Sequence, residues 1–268
     1  MFLLLALSLC GCKYNKLLKS PDHQLRYTKG LEYYEKGDYA RASQLWEKVI
    51  LPFNQNTQKD SLQFFSGKSY FLLRSHELAE VEFAQYTRIF PNGIFAEEAY
   101  YLRAVNLYMM TSRPSLDQTN TIDALTAFNL FHAKFPYSKY GEGDENYFAE
   151  LSKRIEEKSY LSAKLYYQIE DYKAAIIALR NSIRDFPESS YNEEQSFLVL
   201  KSSYIYAKRS VKKRQVERYI STIDEYYNFV SEYPESKYKK DAETIYKEAL
   251  TYTNKKNIDI KEELDIKD

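Results

Sequence analysis

Four prolines, each directly preceded by an aromatic residue, constrain this chain more than any other feature: Phe90-Pro91, Phe135-Pro136, Phe186-Pro187 and Tyr233-Pro234. The last three continue almost alike, as Pro136-Tyr137-Ser138-Lys139-Tyr140, Pro187-Glu188-Ser189-Ser190-Tyr191 and Pro234-Glu235-Ser236-Lys237-Tyr238. Proline disfavours helical geometry in the residue before it, and serine is a capping residue. Each block therefore predicts the end of one helix and the start of another. Composition agrees: 7 Gly and 7 Pro in 268 residues, against 27 Tyr and 15 Phe, leave too few turn residues for a sandwich or barrel of many short strands.

A finer pattern lies between the prolines. A small residue is followed by an aromatic three later, a second small residue nine beyond that, a bulky residue four on and an apolar one three on: Gly30, Tyr33, Ala42, Trp46, Val49. Gly67, Tyr70, Ala79, Phe83 and Tyr86 repeat it with the same gaps, and Ala163, Tyr166, Ala175 and Leu179 do so again, with polar Ser182 as a lapse. Steps of three and four put these residues on single helical faces, and the small ones let two antiparallel helices approach closely. Lys36-Gly37-Asp38 and Glu170-Asp171 mark the turns between the helices. The chain resembles the tetratricopeptide repeat, a helix-turn-helix unit of about 34 residues.

Two further copies carry insertions. In the third, Ala104 and Leu107 precede Ala124, Phe128 and Phe131 with eight extra residues; in the fifth, Ser203 and Tyr206 precede Thr222, Tyr226 and Phe229 with seven extra. Insertions in a solenoid fall in loops at one edge. The expectation is an all-α tetratricopeptide-repeat α-solenoid of about five repeats and about ten helices over residues 21–252, whose repeats must stack because no single one buries its own apolar face. Residues 253–268, without an aromatic and alternating Lys with Asp and Glu, read as a charged, disordered tail.

The N-terminus carries a different signal. Phe2 to Cys10 is an almost unbroken apolar run, less than half of the roughly 20 residues needed to cross a bilayer. It has the length of a signal-peptide apolar region and ends in Leu9-Cys10-Gly11-Cys12. A Leu three residues upstream and a small residue directly upstream of Cys12 resemble the lipobox of bacterial lipoproteins; Cys10, preceded by Leu9, does not fit. That resemblance implies a signal peptide over 1–11, cleavage before Cys12, acylation of Cys12 and a short polar tether over 12–20. No Lys or Arg precedes the run, so only the amino terminus supplies positive charge there.

Repeats behind a lipobox, joined by aromatic-Pro-x-Ser-x-Tyr junctions, resemble the BamD family, lipoproteins of the bacterial outer-membrane protein assembly machinery. The insertion Pro114 to Ala124, with Asp117-Gln118-Thr119, and the segment Arg154 to Ala175 are similar to that family's. The resemblance implies a non-enzymatic scaffold anchored by lipid to the outer membrane and facing the periplasm. Its partners would be the periplasmic domains of a barrel-assembly protein, unfolded barrel precursors and small accessory lipoproteins. A second reading, another envelope repeat lipoprotein that is peptidoglycan-associated, glycan-binding or a coordinator of cell division, stays open.

Two candidate surfaces stand out. Tyr27, Phe64 and Tyr101 are each 37 residues apart, as are Tyr34, Phe71 and Tyr108, and the two members of each pair lie seven apart on one helical face. This row either lines a peptide-binding groove or packs between neighbouring inner helices. The fifth-repeat insertion holds Lys208, Arg209, Lys212, Lys213, Arg214 and Arg218 against one acid, Glu217, and could meet an acidic partner or anionic headgroups. Lys plus Arg and Asp plus Glu both total 38, which argues against nucleic acid as a partner. No enzymatic constellation emerges: His23, His76 and His132 stand alone, no Cys follows Cys12, and Gly141-Glu142-Gly143 lacks the Lys of a P-loop. Neither a metal nor a cofactor is expected.

Overall fold

The computed structural model describes residues 13–49, 51 and 56–265, backbone only beyond 256. Regular structure among them is helical: α1 over 13–18, α2 His23–Glu35, α3 Tyr39–Trp46, α4 Asn56–Leu72, α5 His76–Ile89, α6 Ala96–Met109, α7 Thr119–Lys134, a 3-10 turn Lys139–Gly141, α8 Glu145–Gln168, α9 Tyr172–Asp185, α10 Asn192–Lys208, α11 Lys212–Glu232 and α12 Lys239–Asp265. The five expected repeats are the pairs α2/α3 through α10/α11. Two helices exceed the expected ten. Helix α1 occupies the stretch read as a tether, and α12 runs on to Asp265 through the stretch read as a tail. After Pro234 neither proline nor glycine interrupts the chain, and its alternating charges support a helix through neighbours one turn apart. The leader 1–11 and Cys12 lie outside the described residues.

The chain forms two compact units, one reaching residue 152 without 114–116, the other comprising 114–116 and 153 onward. In the first, the small residues do what their spacing requires. Ala42, Ala79, Ala104 and Ala124 are fully buried. A Cβ on Gly30 would fall inside the Trp46 indole, and one on Gly67 would sit 3.0 Å from the Phe83 ring. The Trp46 indole N–H, held this close, donates to the Tyr27 carbonyl at 3.2 Å. Tyr86, also fully buried, donates to Asp60 Oδ1 at 2.5 Å and accepts from the Phe95 amide at 3.0 Å, while Asp60 Oδ2 accepts from the Ile94 amide at 3.0 Å. That network fastens the start of α4 to the turn after Pro91.

In the second unit Ala163, Ala175, Leu179, Leu198 and Val199 form one cluster, and Phe197, Leu200, Phe229, Ala242 and Ile245 another. The lapse at Ser182 is accommodated rather than exposed: Ser182 is buried and its hydroxyl meets that of Ser159 at 2.9 Å.

The punctuation is regular. Helices α5, α7, α9 and α11 each stop one residue before the aromatic of the Pro pair. Their C-caps Phe90, Phe135, Phe186 and Tyr233 have φ of −120, −133, −128 and −127° in the order Phe90, Phe186, Phe135, Tyr233, outside helical geometry as a following proline demands. Ser138, Ser189 and Ser236 accept from the amide two residues on, at 3.2, 3.2 and 3.0 Å, closing the turn ahead of the next α-helix. The inter-helix turns place Gly37 at φ 77° and Glu170 at φ 65°, as expected, and Arg74 at φ 58° in the corresponding turn of the second repeat. Asp38 and Asp171 cap the following helices through their side chains.

The two insertions differ. Residues 111–118 form a loop, closed by buried Gln118: its amide donates to the carbonyls of Arg113 at 2.9 Å and Asp117 at 3.2 Å and accepts from the Thr121 hydroxyl at 2.8 Å. The fifth-repeat insertion, expected as a loop, is mostly helix. Only Arg209–Val211 separate α10 from α11, and the extra residues lengthen α11 to 21 residues against 14 in α9.

Candidate binding face

The 37-residue ring row resolves into two registers. In the first register Phe64 and Tyr101 are stacking partners for the residue four beyond a junction proline. Phe64 lies flat on Phe95, with centroids 4.5 Å apart and planes at 4°, and Tyr101 on Tyr140 at 5.7 Å and 30°. The second unit has the same device in Tyr160 with Tyr191, at 4.3 Å, and Phe197 with Tyr238, at 4.5 Å. Tyr27 and Phe64 are 7% and 1% exposed. Burial leaves them no surface to offer a peptide, so as placed they belong to the core and not to a groove. Tyr101 keeps a partly open edge.

The second register stays half-open in all three repeats. Tyr34 packs at 4.9 Å on Phe65 and 5.3 Å on Tyr39, and burial pushes its phenol up to about 12, with smaller contributions from Tyr39 and the Glu98 carboxylate. Tyr108 lies 4.5 Å from Tyr147 and donates to Glu150 Oε2 at 2.5 Å. Phe71 lines a recess of about 330 Å³ with Leu72, Arg74, His76 and Met109, of which Leu72 and Met109 are 43% and 52% exposed. Between the registers, Lys68 reaches from α4 to Glu98 on α6 at 2.5 Å, and Tyr140 donates to the same carboxylate at 3.3 Å. Rings with one open face beside hydrogen-bonding groups can hold apolar side chains of an extended chain, and they offer large contact area at low entropic cost. Leu72, Met109, Lys68, Glu98 and Tyr140 were not among the sequence candidates. Tyr140 could have been found from its fixed offset to the junction proline.

The basic segment is less uniform than its composition. Lys208 makes no ion pair among the described residues but sits over the Tyr204 ring, its ammonium 3.1 Å from the phenol oxygen. Arg209 pairs with Glu170 at 2.7 Å and lies over Tyr172. Arg214 pairs with Glu217 at 2.8 Å. Arg218 covers the Tyr206 ring at 4.0 Å and donates to the Ser210 hydroxyl. Lys212 and Lys213 are exposed in the first turn of α11, where the positive end of the helix dipole adds to their field.

His76 contacts Asn106 at 2.8 Å and His132 contacts Asp144 at 2.9 Å. Among the described residues no group of three or more His, Cys, Asp or Glu converges as a metal ion would require, and no helix is long and apolar enough to cross a membrane.

Antiparallel helix pairs crossing at small residues, with a half-open ring row on the inner helices, define a tetratricopeptide-type scaffold. The YfiO family, described as outer membrane lipoprotein, matches residues 19–204 and 145–262, and the chain belongs to this family, the BamD family. Among its relatives is the outer membrane protein assembly factor BamD of Rickettsia prowazekii (strain Madrid E), 24% identical over 206 residues, covering 76% of this chain and 81% of the relative. A putative outer membrane protein assembly factor BamD of Aquifex aeolicus (strain VF5) is 27% identical over 191 residues, covering 70% of this chain and 62% of the relative.

Proposed function

We propose that the chain is a non-catalytic scaffold of outer-membrane β-barrel assembly. It binds the periplasmic domains of a barrel-assembly protein and small accessory lipoproteins, and it receives unfolded barrel precursors. The observation that carries this reading is the family match across residues 19–262, together with relatives named as assembly factors. Acylated Cys12 tethers it to the outer membrane on the periplasmic side. In the first unit, the open faces of Tyr34, Phe71 and Tyr108 and the open edge of Tyr101 take apolar side chains of the precursor, with an aromatic terminal residue entering the recess beside Phe71. In the second unit, Lys208, Arg209, Lys212, Lys213, Arg214 and Arg218 present positive charge to an acidic face of the assembly protein, with Lys212 and Lys213 exposed in the first turn of α11.

The precursor half is tested by titrating a labelled peptide that ends in phenylalanine against the mature chain. Phe71→Ala and Tyr108→Ala are expected to weaken binding about tenfold each, the scale of a lost aromatic anchor, at unchanged helicity. Binding unaffected by both substitutions would reject the ring row as the precursor site. The partner half is tested by Lys212→Glu with Lys213→Glu, which should reduce association with the assembly protein and flatten its salt dependence.

A further inference from the structure

The stretch between Cys12 and the first repeat is not a loose tether. Tyr14 on α1 donates to the Arg41 carbonyl at 3.2 Å, and its hydroxyl lies 2.9 Å from Gln44 Oε1, both on α3. Its ring meets Tyr33 edge-on at 5.7 Å, and the Arg41 guanidinium covers both rings at 5.5 and 5.7 Å. Helix α1 is thereby fixed to the first repeat two residues after the cysteine.

What α1 presents outward is specific. Lys13, Lys16 and Lys19 recur every three residues, so they share one side of the segment. All three are exposed, and none is in an ion pair among the described residues. They rim a recess of about 560 Å³ whose apolar lining comes from Leu17, Pro21 and Leu25, the last 40% exposed. Two neighbouring acids are engaged elsewhere: Asp22, three residues after Lys19, caps α2 by accepting from the Leu25 amide at 2.9 Å, and Glu32, which lines a recess with Lys13, pairs with Lys29 at 2.7 Å.

We propose that this face is a second membrane contact: Lys13, Lys16 and Lys19 engage anionic lipid headgroups while Leu17 and Leu25 enter the interface, so that the first repeat lies against the bilayer in a fixed orientation. The proposal rests on the reading that Cys12 is acylated. Acylation would put Cys12 at the interface, the Cα of Lys13 lies about 3.8 Å further along the chain, and the helix advances only about 1.5 Å per residue. With α1 lying along the surface, all three ammonium groups fall within about one Debye length of the headgroups, roughly 8–10 Å. A chain of net charge zero has no general attraction for an anionic surface, so any such binding must come from a local patch.

The test uses the mature chain from residue 12 with Cys12→Ser, which carries no lipid, and sedimentation with vesicles of phosphatidylcholine alone or with 30% (about one in three) phosphatidylglycerol. Binding to the anionic vesicles alone, abolished by salt, is expected. Lys13→Glu, Lys16→Glu and Lys19→Glu together should lower the partition by at least about a hundredfold, since the loss of each lysine alone is worth about fivefold, with the thermal midpoint unchanged. Equal binding to both vesicle types, no binding to either, or a triple variant that binds like the parent would each overturn the proposal. Mass spectrometry of the native N-terminus tests acylation separately, because the vesicle experiment does not depend on it. An unmodified Cys12 would overturn the acylation reading and with it a second contact beside a lipid anchor, whereas an acylated Cys12 with a triple variant that binds like the parent would overturn the lysine contact alone.

Discussion

Two ring positions seven residues apart on the same inner helices have different fates. At the first, Phe64, Tyr101, Tyr160 and Phe197 are covered by the residue four beyond a junction proline; at the second, Tyr34, Phe71 and Tyr108 keep an open face. Helical spacing alone makes them equivalent, since both point the same way. What separates them is the next repeat. The proline turn delivers Phe95, Tyr140, Tyr191 or Tyr238 over the first register and leaves the second uncovered. Repeat cohesion and surface for a partner are thus divided between positions that look interchangeable along the chain.

The contrast breaks most visibly at Phe64. Phe64→Ala removes a ring that is 1% exposed and should cost about 3–5 kcal/mol in denaturant unfolding, whereas Phe71→Ala and Tyr108→Ala should stay below about 1.5 kcal/mol and act on peptide binding. A Phe71→Ala loss as large as that of Phe64→Ala would erase the distinction. Next in size, Tyr238→Ala uncovers Phe197 and should cost about 1–2 kcal/mol through the lost stack and the area it covered, read as a lower midpoint of the second unit. The smallest effect is electrostatic. Burial raises the Tyr34 phenol to about 12, so its contribution is fully present below the unfolded value near 10 and is lost as pH rises through 12. Tyr34→Phe should therefore flatten the alkaline loss of stability between pH 10 and 12 and change nothing at pH 7, measured by urea unfolding at several pH values.

Much of this was legible in the sequence because sterics are local. The two small residues of each repeat name the helix crossings, and the prolines name where helices stop. The buried positions Gly30, Ala42, Gly67, Ala79, Ala163 and Ala175 follow from spacing alone. The split of the ring row was not legible, because whether a ring is covered depends on the following turn, although Tyr140, Tyr191 and Tyr238 were in view as junction tyrosines. The insertions show the same limit. One contains Pro114 and turn-forming Asp117 and becomes a loop around Gln118; the other, of similar length, is rich in Lys, Arg and Gln, good helix formers, and extends α11. Counting extra residues said nothing about which state they would adopt. The charged C-terminal stretch was misread for a related reason: a shortage of apolar residues weakens tertiary packing, but a helix already running through Tyr252 needs no new nucleus to continue.

The central claim is that this chain serves outer-membrane protein assembly by holding other proteins. Affinity purification of the tagged full-length chain from detergent-solubilised outer membranes tests it most directly. The account predicts a barrel-assembly protein recovered in near-stoichiometric amount, and less of it at high salt or with Lys212→Glu and Lys213→Glu. Recovery of peptidoglycan fragments or division proteins in its place would contradict it.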